Sequence, residues 1–252
     1  MSLRDKITNK ELVVGTWLQT GDPVTAEIMA ECGYDFIAAD IEHTSISERD
    51  FVDFARAVKG LTVPFARVAN SDEMAIRRML DLGAEGVIVP MVNSGEQAKA
   101  VVDAAKYAPQ GKRGFAWVRP NKYGVEFNKY AAEANDKITV IAMIETKEAV
   151  ENIDEILSVE GIDGVFIGPY DLSGSYGIVG QVNHDIIKEA KVKVLEACKR
   201  HNKVAGQHIV RATKENVNEA IELGYTFLAF GTDTLFIDSE ARRTIGLIKE
   251  LM

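Results

Sequence analysis

Short apolar runs alternate along the chain with longer stretches whose apolar residues recur at helical spacing, the pattern of repeated βα units feeding a parallel sheet. Eight runs read as strands: Val13 to Leu18, Phe36 to Ile41, Val63 to Val68, Val87 to Met91, Ile138 to Ile144, Gly164 to Ile167, Val204 to Ile209 and Phe227 to Phe230. Their near-continuous apolarity suits strands covered on both faces. Gly33, Gly83, Gly161 and Gly224 each stand a few residues before a strand, where a glycine can end a helix in the left-handed conformation. Eight such units in 252 residues predict an α/β protein built as one (β/α)₈ TIM barrel, a single domain spanning residues 1–252. Ala108 to Asp136 is the long irregular stretch, read as a loop that shapes or covers a pocket. The last amphipathic helix, about Ser239 to Met252, either seals the barrel or packs on a partner subunit.

Charge narrows the partners. With 29 Lys and Arg against 38 Asp and Glu, the net charge is −9, which leaves no cationic excess to neutralise phosphates, so neither nucleic acid nor a membrane surface is expected as a partner. No apolar run approaches the roughly 18 residues of a spanning helix. Residues Met1 to Lys10 are polar, without the apolar centre of a signal peptide, and a cytoplasmic protein is expected. Cys32 and Cys198 lie far apart with no Cys-x-x-Cys spacing and read as reduced packing residues.

The candidate chemistry sits at strand ends. Glu145 follows the fifth run in Ile144-Glu145-Thr146, and Asp171 follows the sixth in Gly168-Pro169-Tyr170-Asp171-Leu172-Ser173. In a parallel barrel both emerge on the C-terminal rim, where barrel enzymes work. Two hard oxygen ligands with no nearby thiolate suit a divalent metal, Mg²⁺ or Mn²⁺ ahead of Co²⁺ or Zn²⁺; the competing reading is that each acid caps its following helix. The second run ends in Asp40-Ile41-Glu42-His43, an imidazole among acids that suits proton exchange near neutral pH, with Asp40 or another carboxylate orienting the ring. A solvated loop histidine is the alternative there, and it is the reading given to His184, His201 and His208. Arg67 interrupts an apolar run and needs an anionic partner, either the substrate or a strand-end acid. None of the eight runs contains a lysine, which argues against imine chemistry, and the absence of Gly-x-Gly-x-x-Gly and Walker motifs implies no nucleotide cofactor.

In order along the chain, Asp40-Ile41-Glu42-His43, Arg67, Val89-Pro90-Met91-Val92, Ile144-Glu145-Thr146 and Gly164-Val165-Phe166-Ile167-Gly168-Pro169-Tyr170-Asp171-Leu172-Ser173 resemble the HpcH/HpaI family of metal-dependent pyruvate aldolases, from about Gly15 to Thr234. The resemblance implies Glu145 and Asp171 as metal ligands, His43 as base and Arg67 as the arginine that stabilises an enolate. It implies Asp81 as an acid supporting the histidine across a subunit boundary, and the backbone near Gly168 and Tyr170 as the pyruvate carboxylate site. It further implies a homo-oligomer, a trimer or hexamer, with the final helix exchanged between neighbours. The implied reaction is reversible cleavage of a 4-hydroxy-2-oxo acid to pyruvate and an aldehyde through a metal-stabilised enolate. Related alternatives are oxaloacetate decarboxylation, acyl-CoA cleavage, or a binder of oxo acids without turnover. The chain also departs from the family pattern. Met143 stands where many relatives carry a substrate-contacting glutamine, Tyr170 replaces a common alanine, and Gln207 and His208 are polar where relatives are often more apolar. Trp117, Arg119 and Tyr123 are expected on the aldehyde side.

Overall fold

In the computed structural model, which describes residues 2–252, eight parallel strands close into a barrel in sequence order. They are β1 (Val13–Leu18), β2 (Phe36–Asp40), β3 (Val63–Arg67), β4 (Gly86–Val89), β5 (Thr139–Ile144), β6 (Gly164–Ile167), β7 (Val204–Ile209) and β8 (Phe227–Thr232). Alternation of side chains along each strand divides the core in two. Inward residues, among them Trp17, Phe36, Phe65, Ile88, Ile141, Phe166 and Phe227, fill the barrel. Outward residues such as Ile37, Val87, Val140, Ile167 and Leu228 meet the surrounding helices. The aromatic layer is tight: the rings of Phe36 and Phe227 stack at 4.5 Å. Phe36 and Phe65 lie where a Cβ on Gly15 or Gly86 would come within 2.2 Å of them, so large residues on one strand require glycine on the next.

Helix ends follow local chemistry. Ser47, Ser94, Thr146 and Thr213 each accept a backbone N–H in the first turn of the helix they begin. Gly83 and Gly224 close helices in the left-handed conformation, as their spacing before strands predicted. Three readings need correction. The segment read as irregular contains a 3₁₀ turn, Arg119–Gly124, and a regular helix, Phe127–Lys137. The last helix begins six residues earlier than expected, running Asp233–Glu250, because Thr232 caps it and the buried Asp233 carboxylate accepts the amides of Gln19 and Thr20 beyond β1. Cys32 is exposed at a helix end, its thiol donating to Ile28 O, whereas Cys198 is buried, with burial pushing its thiol up to about 12. Of the last helix only Asp233 is buried, while Phe236, Ile237, Ile245 and Ile248 are exposed. No described helix is long and apolar enough to cross a membrane.

Candidate active site

The inward positions at the C-terminal ends of the strands line a cavity of about 170 Å³ that holds Trp17, Gln19, Asp40, Arg67, Met143, Glu145, Gly168, Tyr170, Asp171, His208 and Thr232. Residues from β1, β2, β3, β5, β6, β7 and β8 thus converge on one rim because a closed barrel brings every strand end to the same circle.

On one side Asp40 and Arg67 face each other in strand register. Arg67 grips the carboxylate in a bidentate fork, Nε to Oδ1 at 2.9 Å and Nη2 to Oδ2 at 2.6 Å. The amides of Glu42 and His43 also donate to Asp40 Oδ1, both at 3.2 Å. Burial pushes the Asp40 carboxyl up, but the hydrogen bonds and charge of Arg67 outweigh it and hold the group below the usual carboxylate range. The guanidinium lies 4.8 Å from the Trp17 ring centroid, a cation–π contact that fixes its plane. The main anionic partner of Arg67 in the protein is therefore the strand-end acid, with Glu42 Oε2 3.4 Å from its Nε as a second, and the Asp40–Arg67 pair forms part of the cavity wall.

His43 stands just outside this pair, on the loop after β2, with a side chain 60 % exposed. Its Nε2 lies 3.4 Å from Glu42 Oε2, so Glu42 rather than Asp40 is the carboxylate beside the ring. That Glu42 oxygen is buried without a hydrogen-bond partner; burial raises the Glu42 carboxyl against the pull of Arg67 and His43. Asp81 is not brought into the cluster. It sits in the last turn of the helix Glu73–Leu82 and pairs at 2.7 Å with buried Arg113, whose guanidinium lies 4.7 Å from the Tyr107 ring centroid.

The other side of the cavity is built differently. Glu145 is 4 % exposed, and burial, reinforced by the charges of Asp171 and Glu42 and opposed by the Met91 amide, pushes its carboxyl up to about 7. The Met91 N–H donates to Glu145 Oε2 at 3.1 Å from a residue at φ +56°, a left-handed conformation a non-glycine residue adopts at a cost. A Cβ on Gly168 would stand 2.7 Å from Glu145 Oε1, so only glycine lets β6 approach this carboxylate. Asp171 joins it from the first turn of the helix Pro169–Ser175. Leu172 is the first residue there to donate back into the helix, to Gly168 O, so the amides of Tyr170 and Asp171 precede the intrahelical ladder. Among the described residues no group of three or more His, Cys, Asp or Glu side chains is assembled as a metal cage. Two carboxylates with no committed cation fit Mg²⁺ or Mn²⁺, which keep positions open for water and substrate oxygens.

Several residues lie elsewhere than expected. Trp117, Arg119 and Tyr123 do not line the cavity; Arg119 donates to Ala55 O at 2.8 Å, and Trp117 and Tyr123 are exposed. His184 caps a helix and His201 pairs with Asp154, but His208 lines the cavity rather than meeting solvent in a loop. Gln207, one position earlier on β7, does not reach it. Trp17 and the Met91 amide escaped sequence reading, and Thr232, read only as part of a weak phosphate-site signal in Gly231-Thr232-Asp233, lines the cavity.

Residues 14–238 match the family described as HpcH/HpaI aldolase/citrate lyase. The chain belongs to that family. It is 38 % identical over 238 residues to 2-dehydro-3,6-dideoxy-6-sulfogluconate aldolase of Pseudomonas putida, covering 94 % of this chain and 92 % of the relative. It is 36 % identical to hydroxypyruvate/pyruvate aldolase of Sagittula stellata, covering 90 % of each. The crystal structure of an HpcH/HpaI aldolase from Desulfitobacterium hafniense DCB-2 superposes with a TM-score of 0.90 at 33 % identity, covering 100 % of this chain and 98 % of that one. The named relatives make this chain an aldolase, and the matched span agrees with that expected from the motifs.

Proposed function

We propose that this aldolase cleaves a 4-hydroxy-2-oxo acid to pyruvate and an aldehyde, with Glu145 and Asp171 as ligands of a divalent cation, Mg²⁺ or Mn²⁺. The observation that carries the reading is the pair of carboxylates left without a cation beside an arginine already fixed by Asp40. When bound, the cation would supply Lewis-acid polarisation of the 2-oxo group.

This chain's residues do the rest. The free amides of Tyr170 and Asp171 face the substrate carboxylate. Arg67, locked by its fork with Asp40 and by Trp17, donates to the 2-oxo oxygen as negative charge develops there, with no reorganisation needed. His43 takes the 4-hydroxyl proton directly or through one water, and Glu42, 3.4 Å from its ring, stabilises the imidazolium that results. The C3–C4 bond then breaks, the aldehyde leaves, and proton return to C3 gives pyruvate. The exposed apolar residues of the last helix, Phe236, Ile237, Ile245 and Ile248, support a homo-oligomer, a trimer or hexamer by resemblance.

The test is exchange of the pyruvate methyl protons in D₂O, followed by NMR with chelated protein and then with Mg²⁺ or Mn²⁺ added. Cation-dependent exchange is expected, since the reverse reaction begins by forming the enolate. A protein that binds the cation and pyruvate without exchanging protons would overturn the reading in favour of a binder without turnover.

A further inference from the structure

The next wall of the cavity, on β7 beside β6, carries a histidine that the reaction above leaves unused. His208 is the inward residue near the end of β7 and lines the same cavity as Arg67. Its ring centroid lies 5.9 Å from that of Trp17, which itself stacks under the Arg67 guanidinium. One ring therefore separates His208 from the Arg67 guanidinium.

The ring's hydrogen bonding fixes what it can offer. His208 Nε2 lies 3.0 Å from Gly231 O on β8. A carbonyl only accepts, so Nε2 carries the proton and Nδ1 is left with a lone pair. Among the described residues Nδ1 has no hydrogen-bond partner, and the ring faces the cavity. The charged form is disfavoured: burial pushes the imidazole down to about 4 against the pull of the Gly231 carbonyl, and the positive charge of Arg67 adds to the burial. A second polar group waits in the same wall. Trp17 is 4 % exposed, and its Nε1–H is buried without an acceptor, a donor that costs free energy while it stays unpaired.

We propose that His208 determines aldehyde specificity by accepting, through Nδ1, a hydrogen bond from a hydroxyl group of the aldehyde half. The preferred aldehydes are accordingly hydroxylated and uncharged. A neutral imidazole with a fixed acceptor repels a carboxylate, whose oxygens only accept. A hydroxyl, unlike a carboxylate, donates to Nδ1. Strand neighbours Val210 and Thr232 complete this wall.

This inference rests on the aldolase reading, so the experiment carries an internal standard. Aldol addition of pyruvate to glyceraldehyde, to propanal and to succinic semialdehyde is measured for the wild type, His208→Leu and His208→Gln, each rate divided by that protein's own pyruvate methyl exchange rate. The wild type should prefer glyceraldehyde over propanal by about tenfold, one well-placed hydrogen bond; His208→Leu should erase that preference, and His208→Gln, which keeps an acceptor, should retain part of it. In ¹⁵N NMR the His208 ring should show a protonated Nε2 and a bare Nδ1, with Nδ1 moving on addition of glyceraldehyde. Equal normalised rates for glyceraldehyde and propanal in the wild type, a preference that survives His208→Leu, preference for succinic semialdehyde, or a proton on Nδ1 would each overturn the inference while exchange leaves the aldolase reading standing. Loss of exchange in the wild type removes both.

Discussion

Two buried acidic centres stand at the same rim and are solved in opposite ways. Across β2 and β3, Asp40 is neutralised inside the protein by a bidentate arginine and two amides. Across β5 and β6, Glu145 has one amide for company and two further acids nearby, and its carboxyl rises to about 7 while Asp40 falls below its usual range. Burial acts on both groups alike, so the difference lies in the partners. The first centre is finished and serves as a frame; the second carries a charge imbalance that raises its affinity for a proton and that the proposed cation would remove.

Breaking the second centre should have the largest effect. Glu145→Gln keeps the shape and removes a ligand charge, and turnover should fall on the order of 10³-fold or more, the scale of losing several kcal/mol of electrophilic stabilisation. Calorimetric titration with Mn²⁺ should show the affinity lost as well; a variant that binds Mn²⁺ and turns over normally would exclude Glu145 as ligand. The first centre should respond in stability. Asp40→Asn leaves Arg67 without its counter-charge, and breaking a buried pair costs about 3–5 kcal/mol. Urea unfolding of cation-free protein sharpens the contrast: Asp40→Asn should be destabilised, whereas Glu145→Gln should match or exceed the wild type because it relieves a buried charge. The same sign for both would mean the centres are not built differently. Between them stands His43, whose truncation to Ala should lower turnover about 10²-fold, the usual contribution of a general base, with Mn²⁺ affinity unchanged.

How much of this was legible depended on whether the cause was local. Buried parallel strands write themselves as apolar runs, so all eight appeared, with ends displaced by a residue or two where ladder bonds fade. Glu145, Asp171 and Arg67 were visible because a charge at the end of an apolar run has few other reasons to be there. The helix Phe127–Lys137 was missed because Ala134 is its one buried residue, too little for a readable stripe. The start of the last helix depends on Asp233 reaching amides more than two hundred positions earlier, and no local pattern records that. The partner of Arg67 was left open between substrate and acid, since strand register alone makes Asp40 its neighbour. His208 was misread for the same reason: the chain shows a histidine near a strand end, but only closure of the barrel places it against Trp17.

The smallest effect concerns that histidine and tests whether the β7 wall of the cavity is kept uncharged. The folded His208 titrates near 4, below the 6.5 of an unfolded histidine. Between those values the unfolded chain binds a proton that the folded one refuses, so stability contributed by this residue is complete above about pH 6.5 and falls as the pH drops toward 4. His208→Leu removes the titration. Urea unfolding at pH 7.5 and at pH 5.5 should therefore show the wild type losing about 1 kcal/mol more than the variant over that interval. The carboxylates are common to both proteins and cancel in the difference. Equal losses would mean that the folded His208 takes up its proton as readily as the unfolded one, and that the cavity is open to anions on this side as well.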